Sequence, residues 1–268
     1  MNKRPIGIFD SGVGGLTVFR EIRKQFPKED IVYFGDTARV PYGPKSYTTV
    51  SAYSIQNARF LLQRGAKIIV IACNTSSSVA LKQLQDSLPV PVIGVIEPGA
   101  KTAVSTTRNG KIGIIGTEGT IRSKAYSREI SNLKKDCRVF SQACPLLVPL
   151  AEEGWEDHPV TTLTIKEYLK PLLEEEIDTL ILGCTHYPIL KEAIQKVVGD
   201  NIVLVDSAEA VSKQLYEILP DKENEGIGED HFFVSDNEDK FRQIASRILN
   251  IKISKLIKVN LGESWYLS

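Results

Sequence analysis

The chain has 268 residues, of which 42% are hydrophobic and 25% are charged, and its formal net charge at pH 7 is zero. A chain of this length can bury one large domain or two modest ones, and the composition is typical of globular proteins. The balanced charge argues against nucleic acid as a partner, because a surface that binds phosphates needs a basic surplus.

Neither membrane insertion nor secretion is indicated by the apolar runs. The longest of them, such as residues 68–72, are too short to span a bilayer, and the N-terminal residues lack the apolar stretch of a signal peptide. The cysteines are Cys73, Cys137, Cys144 and Cys184, with no Cys-x-x-Cys spacing. We therefore expect a cytoplasmic protein with free thiols and no membrane partner.

Strand-like runs alternate with longer amphipathic stretches along the first hundred residues. The pattern predicts strands at 5–10, 31–36, 67–73 and 91–98. It predicts helices at 16–26, 49–62 and 76–88. This alternation is typical of an α/β fold with a mostly parallel sheet covered on both faces.

The same pattern begins again in the second half of the chain. Residues 111–117 resemble 5–11, and residues 179–188 resemble 67–76. The offset is 106 residues between Ile8 and Ile114 and 111 residues between Cys73 and Cys184. Two anchors with similar offsets predict an internal duplication, and hence two pseudo-symmetric three-layer domains with the active site in the cleft between them.

The remaining segments complete this two-domain interpretation. They predict a strand at 137–143, a helical region at 146–175, a strand and helix within 201–212, strands at 231–236 and 255–261, a helix at 240–249 and a loop at 220–230. The last of these elements have no counterpart in the second copy, so we expect them to return to the first domain. The predicted domains are therefore 1–95 with 207–268, and 96–206.

Polar residues cluster where the predicted strands end, and ligands of such sheets bind beyond the carboxyl ends of the strands. They are Asp10, Ser11, Cys73, Asn74, Thr75, Thr117, Cys184, Thr185 and His186. The duplication predicts that the two cysteines, Cys73 and Cys184, lie on opposite walls of one pocket. We expect the backbone N–H groups after Asp10, Asn74 and Thr185 to open helices that bind carboxylates.

Two opposed thiols suit the inversion of a tetrahedral carbon, since one face needs a base and the other an acid. A thiol titrates near 8.5 when unperturbed, so a modest shift makes both protonation states available. His186 is a candidate helper of Cys184, and Asp10 a candidate helper of Cys73 or of a substrate ammonium. Glu152 is a further candidate acid.

Five segments, IGIFDSGVGGLTV, YFGDTARVPYG, ACNTSS, GTEGT and LGCTHYP, occur in this order between Ile6 and about Ser212. Together they resemble the glutamate racemases of the aspartate/glutamate racemase superfamily. The resemblance implies a two-domain α/β fold, no pyridoxal phosphate, and interconversion of L- and D-glutamate that supplies D-glutamate for peptidoglycan and cell shape. Members of this family often form homodimers.

The resemblance also implies roles for individual residues. Cys73 and Cys184 would be the acid/base thiols, and Asp10, His186 and Glu152 stay the candidate helpers named above. The substrate-binding residues would be Asp10, Ser11, Pro41, Tyr42, Gly43, Asn74, Thr75, Thr117, Thr120, Thr185 and His186.

Two other functions stay open at this point, a racemase of the same superfamily acting on aspartate or a related acid, and a non-catalytic module that binds a small anion. Cys184 and His186 without a second ligand cluster make a poor zinc site. The turn SGVGGLT is neither a dinucleotide-binding nor a Walker motif. Cys137 and Cys144 have no repeat partner, and we expect them to fill the core.

Overall fold

The computed structural model describes residues 4–219 and 226–261. The strands in these ranges are β1 (Ile6–Asp10), β2 (Ile31–Gly35), β3 (Ile68–Ile71), β4 (Val92–Gly94), β5 (Lys111–Gly116), β6 (Arg138–Ala143), β7 (Thr179–Gly183), β8 (Val203–Asp206), β9 (Asp230–Val234) and β10 (Leu256–Lys258). The α-helices are α1 (Leu16–Gln25), α2 (Tyr47–Gln63), α3 (Asn74–Ser87), α4 (Ile96–Thr106), α5 (Glu118–Ser123), α6 (Ala125–Leu133), α7 (Leu147–Glu152), α8 (Pro159–Glu174), α9 (Lys191–Val198), α10 (Ser207–Ile218) and α11 (Glu238–Leu249). A 3₁₀ helix covers Tyr187–Leu190.

The strands form two parallel sheets with the same internal order. The first sheet runs β10-β9-β2-β1-β3-β4, and the second runs β6-β5-β7-β8. In the second sheet β5, β6, β7 and β8 therefore take the places of β1, β2, β3 and β4. The predicted α/β class with mostly parallel sheets is confirmed, and the repeated order is what a duplicated unit would produce.

The C-terminal strands extend the first sheet rather than the second. β9 pairs with β2, and β10 pairs with β9, all in parallel. The chain passes from the first sheet to the second through α4 and returns through α10, which packs against both α1 and α4. Because α10 contacts helices of both halves, the division at residues 95 and 206 stays a prediction.

Each sheet is buried on both faces, which explains its nearly unbroken apolar strands. Every residue of β1 and of β7 is buried. Ile8 packs on one side of the first sheet and Phe9 on the other. Ile181 and Leu182 divide in the same way between the two sides of the second sheet. The alternation is the period-2 pattern of a strand covered by helices on both faces.

Three predicted segments differ from the structure. The strand predicted at 91–98 is wrong beyond Gly94, because α4 already begins at Ile96 and accommodates Pro98 in its first turn. The helical region predicted at 146–175 is two helices, α7 and α8, separated by a turn at Gly154, where φ is +76°. After Thr185, where the sequence predicts that a helix opens, the chain forms a 3₁₀ helix rather than an α-helix, and the strand before it ends at Gly183.

Other predicted boundaries shift by a few residues, as is usual at element ends. The helices α5, α6 and α9 were not predicted from the sequence. Of the predicted loop, residues 220–225 lie outside the described residues, and Asp230 belongs to β9. In the ranges that the structure covers, no helix combines the length and apolar character needed to cross a bilayer.

The core of the second sheet provides a stability prediction. Leu182 is fully buried, so Leu182→Ala removes packed methyl groups and should lower the free energy of unfolding by about 2–5 kcal/mol. Leu163 is 65% exposed, and Leu163→Ala should change it by less than about 0.5 kcal/mol. Urea unfolding followed by circular dichroism measures both, and equal effects would contradict the assigned core.

Candidate active site

A pocket lies at the carboxyl ends of the strands of both sheets. Its lining residues are Ser11, Val40, Pro41, Tyr42, Gly43, Cys73, Asn74, Thr75, Thr117, Val148, Glu152, Cys184, Thr185 and His186. Two of the candidate site residues, Asp10 and Thr120, are absent from this lining and lie directly behind it, hydrogen-bonded to lining threonines. Val40 and Val148 also line the pocket and were not predicted as site residues from the sequence.

The two candidate thiols enter this pocket from equivalent places in the repeat. Cys73 follows β3, and Cys184 follows β7. Each is 5% exposed. β3 and β7 occupy the same position in their sheets, so the duplication places one thiol on each half of the pocket.

Cys73 sits at the N-terminus of α3, where it is the N-cap residue. Burial and the nearby charge of Asp10 raise the pKa of Cys73 to about 11, while hydrogen bonds from Ser76 and Ser11 act in the opposite direction. Cys73 is therefore held as a neutral thiol at neutral pH. Of the three helix openings predicted at strand ends, α3 alone begins directly at its strand-end residues, since α1 begins at Leu16 and a 3₁₀ helix follows Thr185.

Cys184 has a different environment, built from charged side chains. The Nδ1 atom of His186 lies 3.9 Å from its Sγ, and the Nε2 atom of His186 lies 3.2 Å from Oε1 of Glu152. The other carboxylate oxygen of Glu152 lies 2.9 Å from Nζ of Lys240. We name the series Cys184, His186, Glu152 and Lys240 the charge relay.

The relay keeps a positive charge beside Cys184. Burial lowers the pKa of His186, but hydrogen bonds to Cys184 and Glu152 outweigh it and raise that pKa to about 10. The hydrogen bond from His186 is the main reason why the pKa of Glu152 falls to about 2. At neutral pH the pair is therefore imidazolium and carboxylate, and the imidazolium stabilises negative charge on the Cys184 sulfur.

Asp10 lies where the two halves meet. It is fully buried, its Oδ2 accepts a hydrogen bond from the Gly12 N–H at 2.9 Å, and its Oδ1 accepts one from Thr185 Oγ1 at 3.4 Å. Burial raises its pKa, and the charge of His186 opposes this. Asp10 thus interacts with both thiol environments rather than with Cys73 alone, and it is not the N-cap of α1, which is Gly15.

Three threonine hydroxyls meet across the two halves. Thr75 Oγ1 lies 2.8 Å from Thr117 Oγ1, and Thr120 Oγ1 lies 3.0 Å from that of Thr117. Thr117 also caps α5 by accepting the N–H of Thr120 at 3.2 Å. A group of hydroxyls beside a helix N-terminus can donate to a carboxylate.

Asn74 carries a buried donor without a partner. Its Oδ1 accepts a hydrogen bond from the Tyr126 hydroxyl at 2.7 Å, whereas its Nδ2 has no acceptor. Asn74 is 2% exposed and lines the pocket. An unsatisfied buried donor costs free energy, and a ligand oxygen in the pocket would remove that cost. Tyr126, which orients this amide, was not singled out from the sequence.

Tyr42, next to Pro41, is held in place by hydrogen bonds to residues that do not line the pocket. The hydroxyl of Tyr42 donates to Asp36 and accepts from Asn57 Nδ2 at 3.1 Å, so it is not available to a ligand. Asp36 is fully buried and pairs with Arg39 at 2.7 Å. Tyr42 therefore offers the pocket its ring and backbone. Asp36 follows β2, so the rule of strand carboxyl ends could have found it.

The glycine-rich turn after β1 lies so close to the strand end that carries Cys184 that Gly14 has no room for a side chain. A Cβ at Gly14 would lie 2.5 Å from the ring of His186 and from Oγ1 of Thr185. The hydroxyl of Thr17, in the first turn of α1, donates to the Thr185 carbonyl at 2.9 Å. The turn thus brings the first half against the strand end that carries Cys184.

The remaining cysteines lie away from the pocket lining. Cys144 is fully buried in the core beside Leu147, and Cys137 packs partly buried against the opposite cluster of the second sheet. Among residues 4–219 and 226–261, no three His, Cys, Asp or Glu side chains are arranged to hold a metal ion.

The relay predicts how His186 titrates. The chain has three histidines, so ¹⁵N-histidine NMR with His158→Gln and His231→Gln variants can assign the ring signals. His186 should stay protonated until the pH approaches 10, since its pKa is raised to about 10. Glu152→Gln removes the negative partner and should lower this midpoint. A His186 that loses its proton below pH 7 in the unmodified protein would contradict the relay.

Comparison with known proteins places this geometry in a family. The Asp/Glu/hydantoin racemase family matches residues 6–215. A curated glutamate racemase of Geobacter metallireducens is 52% identical over 262 residues, covering 96% of this chain and 97% of the relative. A curated glutamate racemase of Neisseria meningitidis serogroup A is 49% identical over 265 residues, covering 97% and 98% of the two chains.

Solved structures of glutamate racemases have the same fold as this chain. A glutamate racemase isoform from Bacillus anthracis superposes with a TM-score of 0.92 at 43% identity, covering 97% of this chain and 99% of that one. A glutamate racemase from Francisella tularensis, solved in complex with D-glutamate, superposes with a TM-score of 0.89 at 39% identity, covering 98% and 99%. By sequence and by fold, the chain belongs to the Asp/Glu/hydantoin racemase family and, within it, to the glutamate racemases.

Proposed function

We propose that this chain interconverts L- and D-glutamate by proton transfer at the α-carbon, with Cys73 and Cys184 as the acid/base pair and no cofactor. The observation that carries the proposal is the placement of the two thiols at equivalent strand ends, β3 and β7, in one pocket. The proposal is also supported by relatives near half identity that are named glutamate racemase.

The proton steps follow from this arrangement. The thiolate on the side of the α-hydrogen removes it as a proton, and the electron pair of the broken C–H bond stays on the α-carbon beside the carboxylate. The opposite thiol then donates its proton to the other face of that carbon. One thiol ends protonated and the other as thiolate, so the product enantiomer meets the reversed assignment.

The two thiol environments supply one acid and one base. The raised pKa of Cys73, about 11, keeps a proton on that sulfur at neutral pH. The protonated His186 at 3.9 Å stabilises a thiolate at Cys184. The first proton transfer requires a thiol on one side of the α-carbon and a thiolate on the other, and these unlike surroundings suit that division.

Donors for the substrate carboxylates come from both halves. Asn74 Nδ2 is a buried donor without an acceptor, so a carboxylate oxygen beside it would be strongly bound. The threonine hydroxyls of Thr75, Thr117 and Thr120 offer donors to a second carboxylate. The buried charge of Asp10 favours the substrate ammonium nearby. Glutamate has two carboxylates and one ammonium, which matches this set.

Asn74 provides a test of substrate binding. Asn74→Ala removes the unpaired donor and should raise KM for both enantiomers by about ten- to a hundredfold, the usual value of a hydrogen bond to a charged group. Tyr126→Phe is the matched control, because it removes the other hydrogen bond of the same amide and leaves Nδ2 in place. Initial rates of racemisation measure KM, and equal effects of the two variants would contradict the assigned contact.

The proposed chemistry is tested by circular dichroism of the purified chain with L-glutamate, without pyridoxal phosphate. The optical signal should decay to zero, and the product formed in heavy water should carry deuterium at the α-carbon. Cys73→Ala and Cys184→Ala should each abolish racemisation, because each removes the acid or base of one face. A signal that persists in the unmodified protein would refute the proposal, as would full activity in either variant.

Two other functions are separated by the same assays. A racemase of aspartate or a related acid would prefer that substrate in a panel, although one methylene is worth only about 1–3 kcal/mol in a pocket. The likeness to an aspartate racemase of Picrophilus torridus, at 19% identity and a TM-score of 0.55, concerns the fold alone. A non-catalytic module for a small anion would bind glutamate and incorporate no deuterium.

The physiological setting forms part of the same proposal. D-Glutamate is an amino acid of peptidoglycan, so the enzyme would supply cell-wall synthesis and thereby cell shape, acting in the cytoplasm and as a homodimer. Sedimentation analysis of the purified chain reports the oligomeric state.

A further inference from the structure

The charge relay behind Cys184 is divided between the two halves of the molecule. Cys184, His186 and Glu152 belong to the part of the chain built on the second sheet. Lys240 belongs to α11, which packs against α1 on the first sheet. The relay is therefore complete only where the two halves touch.

Glu152 is held at both carboxylate oxygens. Oε1 lies 3.2 Å from His186 Nε2, and Oε2 lies 2.9 Å from Lys240 Nζ. The side chain of Glu152 is 21% exposed and that of Lys240 is 49% exposed. With one partner on each oxygen, the carboxylate has a single orientation, and that orientation aims a full negative charge at the imidazole.

Further contacts fix α11 against this segment. Arg247 donates to the carbonyls of Ala151, at 3.2 Å, and of Glu152. Gly154 has φ of +76°, and a side chain there would collide with the Arg247 guanidinium. Asn237 caps α11 by accepting the N–H of Lys240 at 3.3 Å. The backbone that carries Lys240 is thus fixed relative to the backbone that carries Glu152.

Besides Arg247, which donates to the Glu152 carbonyl, other charged groups face the relay. Glu152 and Glu153 face Lys240. His186 faces the charges of Cys184, Glu152 and Asp10. A second cavity, which shares Val40 and Glu152 with the active-site pocket, adjoins Lys240 on the other side. The ammonium is partly hydrated there, so its effect on the relay is moderate rather than large.

We propose that Lys240 is a positioning residue for the Cys184 side of the reaction alone. Held on α11, it orients Glu152 toward His186 and so keeps the imidazolium beside the Cys184 sulfur. The described groups that act on Cys73 are the N-terminus of α3, Ser11, Ser76 and Asp10, so its connection to the relay is indirect and runs only through the charge of Asp10 beside His186. Contact between α11 and α7 thereby controls one thiol of the pair. The catalytic meaning of this control rests on the proposed racemase function, whereas the thiol chemistry does not.

Thiol alkylation separates the two cysteines within one molecule. Iodoacetamide reacts with thiolates, forming a carbon–sulfur bond with loss of iodide, and peptide mass spectrometry resolves Cys73 from Cys184. Lys240→Met keeps the length of the side chain and removes its charge. At pH 7 it should slow alkylation of Cys184 about fivefold and leave that of Cys73 unchanged. Lys240→Arg should restore the Cys184 rate.

A matched control breaks a similar ion pair elsewhere. Lys191 Nζ lies 2.9 Å from Glu209 Oε1, with exposures of 40% and 50%, and neither residue lines the pocket. Lys191→Met should change neither alkylation rate. An unchanged Cys184 rate in Lys240→Met would overturn the proposal. So would equal changes at both cysteines, since these would indicate general loosening of the pocket.

Racemisation kinetics give a second measurement. Lys240→Met should lower kcat/KM about fivefold, by the same factor for L- and D-glutamate, because the lysine acts on a thiol that takes part in both directions and has no place in the pocket lining. An unchanged kcat/KM, or a rise in KM with unchanged kcat for both enantiomers, would contradict the role. If the unmodified chain does not racemise glutamate, the proposed function fails on that result, while the alkylation rates still decide whether Lys240 controls Cys184.

Discussion

The close approach of two strand ends, one from each sheet, is the constraint on which the rest of the structure depends. The turn after β1 can touch Thr185 and His186 because Gly14 has no side chain there. A hydrogen bond stabilises this contact, because the Thr17 hydroxyl donates to the Thr185 carbonyl at 2.9 Å. Asp10 beside this contact is fully buried and each of the two thiols is 5% exposed, and such surroundings strengthen each nearby charge interaction and hydrogen bond.

The two halves of the molecule have the same strand order, but their two thiols lie in unlike environments. The strand orders of the two sheets agree, yet Cys73 caps a helix while Cys184 faces an imidazolium. The difference arises from the segments after the strands, since α3 starts at Asn74 and a 3₁₀ helix follows His186. Burial raises the pKa of Cys73, whereas Cys184 has the imidazolium of His186 beside it, so the unlike neighbours suit one sulfur to act as the acid and the other as the base.

The sequence predicted those parts of the molecule that depend on local pattern. Buried strands such as β1 and β7 are nearly continuous apolar runs, and the repeat offset located both cysteines at strand ends. Contacts that form only when distant segments fold together could not be predicted from the sequence. Nothing local distinguishes Lys240, or shows that the Tyr42 hydroxyl is bound to Asp36 rather than free. The apolar run before Pro98 was misassigned because proline is equally acceptable in the first turn of a helix.

Unlike environments for the two thiols cannot make a racemase favour one enantiomer. L- and D-glutamate have equal free energies in water, so kcat/KM must be the same in both directions for any variant. The helix N-terminus at Cys73 and the charge relay at Cys184 can change the populations of two states of the free enzyme, one with the proton on Cys73 and one with the proton on Cys184. Those populations divide the common kcat/KM differently between kcat and KM for each enantiomer. The asymmetry of the site therefore appears in the separate constants, and loss of the relay must lower kcat/KM for both enantiomers by the same factor.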